Sequence, residues 1–191
     1  MSANPPIAEL SSKLSFSKKL QALTNCIHAT QNLDEIMLDL SQDICDLFEA
    51  ERMTLYVTDA DNNTIVSKVK TGLHAFKDLR LPINHKSIAG YAAAERAVVN
   101  IRDVYNEAEL HALTPDASFL ADVDQRTGFH SKQMLVAPVL DANSQAVLGV
   151  VQLINTLNGL PFSAAAEEGI TELAKTLAVA FTHKKPASPL L

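Results

Sequence analysis

Asp124-Gln-Arg-Thr-Gly-Phe129, followed by Ser131-Lys-Gln-Met-Leu-Val-Ala-Pro-Val139, joins a polar turn to an apolar run. From Met134 to Val139 the residues are apolar, with β-branched Val136 and Val139 among them, the pattern of a central strand. Ahead of that strand, Asp124 and Thr127 place a carboxylate and a hydroxyl on a predicted loop, and Gly128 lets the backbone turn tightly. A polar loop pinned against a rigid strand is what a ligand pocket needs.

Outward from this join, Ala146 to Ile154 reads as the next strand, reached through the turn Asp141-Ala-Asn-Ser144. Upstream, Met53, Leu55 and Val57 alternate with polar neighbours over Arg52 to Thr58. The turn-rich stretch Asp59 to Asn63 then leads into a strand at Thr64 to Val69, which predicts a hairpin. Leu79 to Ile83 is a short strand whose Pro82 suits an edge or a strand end. Ser87 opens a short helix running to Arg96, followed by the strand Ala97 to Ile101. Arg102 to His130 is polar, interrupted by Tyr105, Leu110, Leu113 and Phe119, and is expected to form a partly helical lid.

Helices are expected at both ends. Leu33, Ile36, Met37, Leu40, Ile44, Leu47 and Phe48 share one helical face, with Asn32 and Glu35 as a capping-box variant. Phe16, Leu20, Leu23, Ile27 and Thr30 form a narrow seam on an earlier helix. In a terminal helix opened by Ser163, residues Ile170, Leu173, Ala174, Leu177 and Phe181 share a face. The expected organisation is a flexible leader over 1–12, a helix for dimerisation or signalling over 13–31, a folded domain over 32–183 and a tail or linker over 184–191. The fold class is α+β with a mostly antiparallel sheet, because hairpin turns link successive strands.

Composition narrows the function. The 191 residues suffice for one domain, and 47% of them are apolar, enough for a sizeable core. A formal charge of −6, with no basic cluster longer than Lys184-Lys185, argues against a nucleic-acid partner. The two cysteines, Cys26 and Cys45, lie apart on predicted helices without a CxxC motif, which argues against a disulfide framework or zinc site and for a reducing, cytoplasmic setting. No apolar run approaches the roughly 18 to 20 residues of a membrane-spanning helix.

In order along the chain, Arg80-Leu-Pro-Ile83, Ser87-Ile-Ala-Gly-Tyr-Ala-Ala93, Asn100-Ile-Arg-Asp-Val-Tyr105, Asp122-Val-Asp-Gln-Arg-Thr-Gly-Phe129 and Leu148-Gly-Val-Val-Gln-Leu-Ile-Asn155 resemble a GAF domain. More narrowly, they resemble the GAF domains of cyclic-nucleotide phosphodiesterases and adenylyl cyclases. Similar segments also stand ahead of secretion and pilus ATPases. The resemblance implies a six-stranded antiparallel sheet with flanking helices, a PAS-like or profilin-like plan, a pocket roofed by short helices, and terminal helices that pair in homodimers.

It also implies a regulatory role in signal transduction rather than catalysis. The candidate ligand is a cyclic nucleotide or another small anion, bound between sheet and lid. Its cyclic phosphate would sit at the start of the short helix, at Ser87, Ile88 and Ala89, where free N–H groups and the helix dipole favour an anion. Tyr105, Asp124 and Thr127 match the lid region around the sugar and base, and His85 and Lys86 would add cationic potential if they face the pocket. The alternative is a ligand-free dimerisation or docking module attached to, or partnering, an effector such as a secretion or pilus ATPase.

The chain departs from the family pattern behind the pocket. An Asn-Lys pair followed by Phe and Asp-Glu appears here as Asn155-Thr156, Phe162 and Ala166-Glu167, so both members of an ion pair are replaced. Losing both leaves no orphan charge.

Each candidate has a plainer reading. Asp124 and Thr127 could cap a turn, Ser87 could simply cap its helix, Tyr105 could pack with its hydroxyl at the surface, and Asp122 with Asp124 could be a solvated loop. No catalytic or metal-binding role is assigned. A sulfoxide-reductase chemistry or a bilin would want a cysteine near the pocket, and a haem would want an axial histidine, for which His111 or His130 are the candidates.

Overall fold

The computed structural model describes residues 7–29, 33–70, 79–119 and 121–183. Two helices, α1 (Ile7–Ala29) and α2 (Leu33–Phe48), lead into the hairpin β1 (Ala50–Asp59) and β2 (Thr64–Lys70). Then come β3 (Arg80–Pro82), α3 (Ile88–Glu95), β4 (Val99–Ile101), α4 (Glu107–Leu113), α5 (Ala121–Thr127), the hairpin β5 (Met134–Leu140) and β6 (Val147–Thr156), and α6 (Ala164–His183). The strands form one six-stranded antiparallel sheet in the order β3-β2-β1-β6-β5-β4.

The register sorts side chains onto two faces. Thr54 pairs with Gln152, Tyr56 with Val150 and Leu55 with Val151 across β1 and β6, and Gln152 pairs with Val136 on β5. Residues directly opposite share a face, and neighbours along a strand alternate. One face therefore carries Met53, Leu55, Leu135, Ala137, Val151 and Leu153, buried under Ile27 of α1, Ile44 and Phe48 of α2, and Ile170, Leu173 and Leu177 of α6. Burying each large aliphatic side chain contributes about 1.5–3 kcal/mol. The other face carries Tyr56, Met134, Val136 and Val150, covered by Ile88, Ala89, Ala92 and Ala93 of α3 and by Leu110 of α4.

Close approaches depend on glycine. A Cβ on Gly149 of β6 would strike the Tyr56 carbonyl oxygen. One on Gly169 of α6 would lie 2.5 Å from the Phe16 ring, which itself meets the Phe48 ring edge-on at 5.5 Å. Ser163 caps α6 through its Oγ, which accepts from the Ala166 amide at 3.2 Å.

Two expectations change. Helix α1 starts at Ile7 and takes in half of the predicted leader, because Ala8, Glu9 and Leu10 are strong helix formers. The predicted turn at Asp124 to Thr127 is the helix α5, ended by Gly128 at φ +66°, whose amide donates to the Asp124 carbonyl at 2.8 Å. The apolar seams of the terminal helices pack on the chain's own sheet. Leu23, Ile27, Ile170, Leu173 and Leu177 are buried against its own sheet, with Phe16 and Leu20 packed beside them. A sheet with one bare apolar face takes the nearest apolar stripes, and those belong to its own helices. Thr30, the Asn32 cap and the 184–191 tail lie outside the described residues.

Candidate functional site

Helix α3 starts on the second face of the sheet, and its first turn is shaped by two residues. Ser87, buried, accepts the Gly90 amide on its Oγ at 3.1 Å and keeps its own hydroxyl proton to donate elsewhere. Gly90 lets α3 descend onto β3, since a Cβ there would sit 2.5 Å from the Pro82 carbonyl oxygen and 2.9 Å from that of Asn84. Ile88 and Ala89 follow, 3% and 2% exposed, with first-turn amides that have no acceptor inside the helix. The lid crosses this point: Ser118 forms an isolated parallel bridge with Ser87 and donates its amide to the Lys86 carbonyl at 3.2 Å.

Asp124 organises the lid. Its carboxylate is 6% exposed and accepts from the Tyr105 hydroxyl at 2.9 Å, the Ser131 amide at 2.7 Å and the Ser131 hydroxyl at 2.8 Å. The Tyr105 ring stacks on His130 with centroids 5.0 Å apart and meets Phe119 edge-on at 5.1 Å. Partial burial raises the Tyr105 pKa, and the bond to the Asp124 carboxylate and its negative charge raise it further. Arg52 closes the cluster from the sheet, its guanidinium carbon 3.4 Å from the centre of the Phe129 ring. Burial lowers the Arg52 pKa, against the opposing charges of Asp124 and Glu51.

Of the sequence candidates, Ser87, Ile88 and Ala89 stand together at the α3 start, and Tyr105 and Asp124 stand together in the lid, bonded to each other. The Asp124 carboxylate is thus already engaged by protein donors rather than held open on a loop. Thr127 is the last residue of α5, and its side chain lies outside the described residues. His85 is turned to Glu95 at 2.7 Å and packs on Tyr91 rather than supplying charge to the α3 start.

Behind the lid, Asn155 at φ +54° donates to Glu51 Oε2 at 2.8 Å and to the His130 carbonyl at 2.9 Å, and it accepts the Lys132 amide at 2.7 Å. Where the ion pair is replaced, Asn100 Oδ1 is buried without a hydrogen-bond partner among the described residues. Thr156 donates to the Leu160 carbonyl, Ala166 is in the core, and Glu167 accepts from Asn100 at 2.6 Å.

Two residues that sequence reasoning passed over form the floor between sheet and α3. Thr54 and Gln152 sit opposite one another on the α3 side of the sheet, each 7% exposed. Neither side chain makes a hydrogen bond to any described residue. Their signal in the sequence was a polar residue inside an apolar strand, Gln152 within Val150-Val-Gln-Leu-Ile154. Both cysteines lie elsewhere, Cys45 in the core on the opposite face and Cys26 exposed on α1. Among the described residues no group of three His, Cys, Asp or Glu side chains could hold a metal, and no helix is long and apolar enough to cross a membrane.

Comparison with known proteins agrees with this architecture. The GAF domain family model matches residues 32–181. A probable 3',5'-cyclic phosphodiesterase, pde-5 of Caenorhabditis elegans, is 27% identical over 177 residues; the match covers 87% of this chain but 22% of that protein. Among solved structures, the GAF domain of a phosphoenolpyruvate-protein phosphotransferase (ptsP) from Coxiella burnetii superposes with a TM-score of 0.72 at 20% identity, covering 90% of this chain and 95% of that one. Free methionine-R-sulfoxide reductase from Neisseria meningitidis, solved with its substrate, gives 0.69 at 17% identity, covering 96% and 94%. The fold is thus shared by a GAF domain of another protein and by an enzyme. The chain belongs to the GAF domain family, whose members are regulatory sensor domains in signalling.

Proposed function

We propose that this domain senses a small anionic ligand, with a cyclic nucleotide as the first candidate, held between the sheet and the lid. The observation that carries the reading is the Thr54 and Gln152 pair. On this largely buried floor the Thr54 hydroxyl and the Gln152 amide bond to no described residue, so a ligand that bonds to them gains about 0.5–1.5 kcal/mol per hydrogen bond. The α3 start beside this floor supplies N–H groups and the positive end of a helix dipole for an anion, and Ser87 can donate its hydroxyl proton. The similarity to a probable 3',5'-cyclic phosphodiesterase favours a cyclic phosphate as that anion. Output would pass through the sheet to α1 and α6, which pack on its far face.

The domain is read as non-catalytic. The fold is shared with a methionine-R-sulfoxide reductase, but the buried cysteine of this chain lies across the sheet from the floor and the other is on the outer helix.

Isothermal titration of the purified chain with cyclic AMP, cyclic GMP and a cyclic dinucleotide tests the proposal, with Gln152→Leu as the variant. The expected outcome is binding of one or more of these and a loss of about tenfold or more in the variant, with the unliganded fold intact. Silence across the panel, with no ligand retained from expression, supports a second reading. In that reading the lid stays shut on an empty floor and the domain is a docking module for an effector such as a secretion or pilus ATPase. The internal saturation of Asp124 by Tyr105 and Ser131 favours it.

A further inference from the structure

The chain carries a single Asn-Gly step, Asn158-Gly159, at the turn between β6 and α6. Both residues are exposed, and Leu157 and Leu160 beside them are 67% and 64% exposed. The Asn158 side chain folds back over the turn, its Oδ1 accepting the Leu160 amide at 2.9 Å. That donor sits on the oxygen that would take up negative charge if a nucleophile added to Cγ. Gly159 stands at φ +71°, with nothing within 4 Å of the place a Cβ would occupy, so nothing crowds that side of the residue. Its amide donates to the Thr156 carbonyl at 3.1 Å, a bond at an exposed tip, where local opening costs least.

The same turn anchors buried groups. Gln133, 3% exposed, donates its side-chain amide to the Gly159 carbonyl at 2.8 Å, and Thr156 donates its hydroxyl to the Leu160 carbonyl. A change in the main chain at Asn158 therefore reaches the entry to β5 and the approach to α6.

We propose that Asn158 is a site of spontaneous covalent modification in the folded protein, with water as the co-reactant. Solvent base takes the Gly159 amide proton, and the nitrogen attacks Asn158 Cγ. A C–N bond closes a five-membered succinimide, and the former side-chain nitrogen takes a proton and leaves as ammonia. Water then opens the ring. Breaking the new Cγ–N bond gives Asp, whereas breaking the bond from nitrogen to the original main-chain carbonyl gives isoaspartate, whose main chain runs through Cβ and Cγ. Both products place a carboxylate at the turn, and nothing is oxidised or reduced. The isoaspartyl form lengthens the main chain within the turn and pulls the Gly159 carbonyl off Gln133, so α6 enters its packing on the sheet less firmly.

Incubation of the full chain over days in mildly alkaline buffer, with peptide mapping by mass spectrometry, tests the proposal. Asn143, exposed in the β5–β6 turn and followed by Ser144 rather than glycine, is the internal comparison. The expected result is exchange of the Asn158 amide for a carboxyl, about tenfold or more faster than at Asn143, and its loss in Asn158→Gln. The isolated isoaspartyl protein should melt a few degrees lower, because a buried Gln133 amide has lost its acceptor. An Asn158 that stays intact in the folded chain while converting in urea overturns the proposal, since the turn would then protect it. An isoaspartyl form with an unchanged Tm overturns the link from this site to α6.

Discussion

The Tyr105 hydroxyl donates to the buried Asp124 carboxylate at 2.9 Å, tying the turn after β4 to α5 across the lid. Because Ser131 binds the same carboxylate from the entry to β5, one side chain holds together three segments that the sequence separates. Asp124→Ala would strand the Ser131 amide and hydroxyl and release Tyr105. We expect a loss of about 2–4 kcal/mol in urea unfolding, with Asp124→Asn losing less. A loss within about 0.5 kcal/mol would mean that the lid does not depend on this cluster.

Tyr105 also sets an alkaline limit. Its folded pKa lies above the ordinary 10.0, through partial burial and then the Asp124 bond and charge, so the protonated phenol is favoured in the folded state. That stabilisation is complete below pH 10 and is lost as the pH rises through the raised pKa. Tyr105→Phe should be less stable at neutral pH by about 0.5–1.5 kcal/mol and should show a flatter decline above pH 10. Parallel declines in chemical denaturation of the two proteins would count against the bond.

Gly90 lies inside a helix, where alanine ordinarily gains up to about 1 kcal/mol over glycine. Here the sign should reverse. The added Cβ would sit 2.5 Å from the Pro82 carbonyl oxygen, a backbone atom that cannot rotate away. Gly90→Ala should therefore cost about 3 kcal/mol and lift α3 from β3, weakening any anion binding at Ser87 to Ala89. A melting temperature at or above that of the wild-type protein would show that α3 is not pinned there.

Leu23 and Leu177 test where the helical seams act. At 6% and 0% exposure they are core residues of one protomer. Leu23→Glu or Leu177→Glu would bury an unpaired carboxylate and should cost upwards of about 3 kcal/mol, read as lost helical signal and molten behaviour in circular dichroism. A folded protein of near wild-type stability would mean that these side chains instead meet a second copy.

The limits of each description follow from range. Binary pattern is local, so α2 over Leu33–Phe48 and β5 over Met134–Leu140 follow directly from their apolar spacing, and the α+β class follows from their order. Helix α5 was not legible, because its seven residues, ADVDQRT, lack an apolar stripe and end before a glycine, which together read as a turn. Tertiary partners sustain it: Asp124 is held by Tyr105 and Ser131, which lie on either side of it in the chain.

The same division holds for the site. The α3 start at Ser87 was visible through its capping residue, whereas Thr54, Tyr56 and Gln152 became neighbours only through the β1–β6 register. By itself the sequence determined most of the elements, the family resemblance and the anion-favouring helix start, because caps and periodicities act over a few residues. Only the tertiary structure decided that the terminal seams face their own sheet and that Asp124 is occupied, because register and packing bring together residues with no local signal between them.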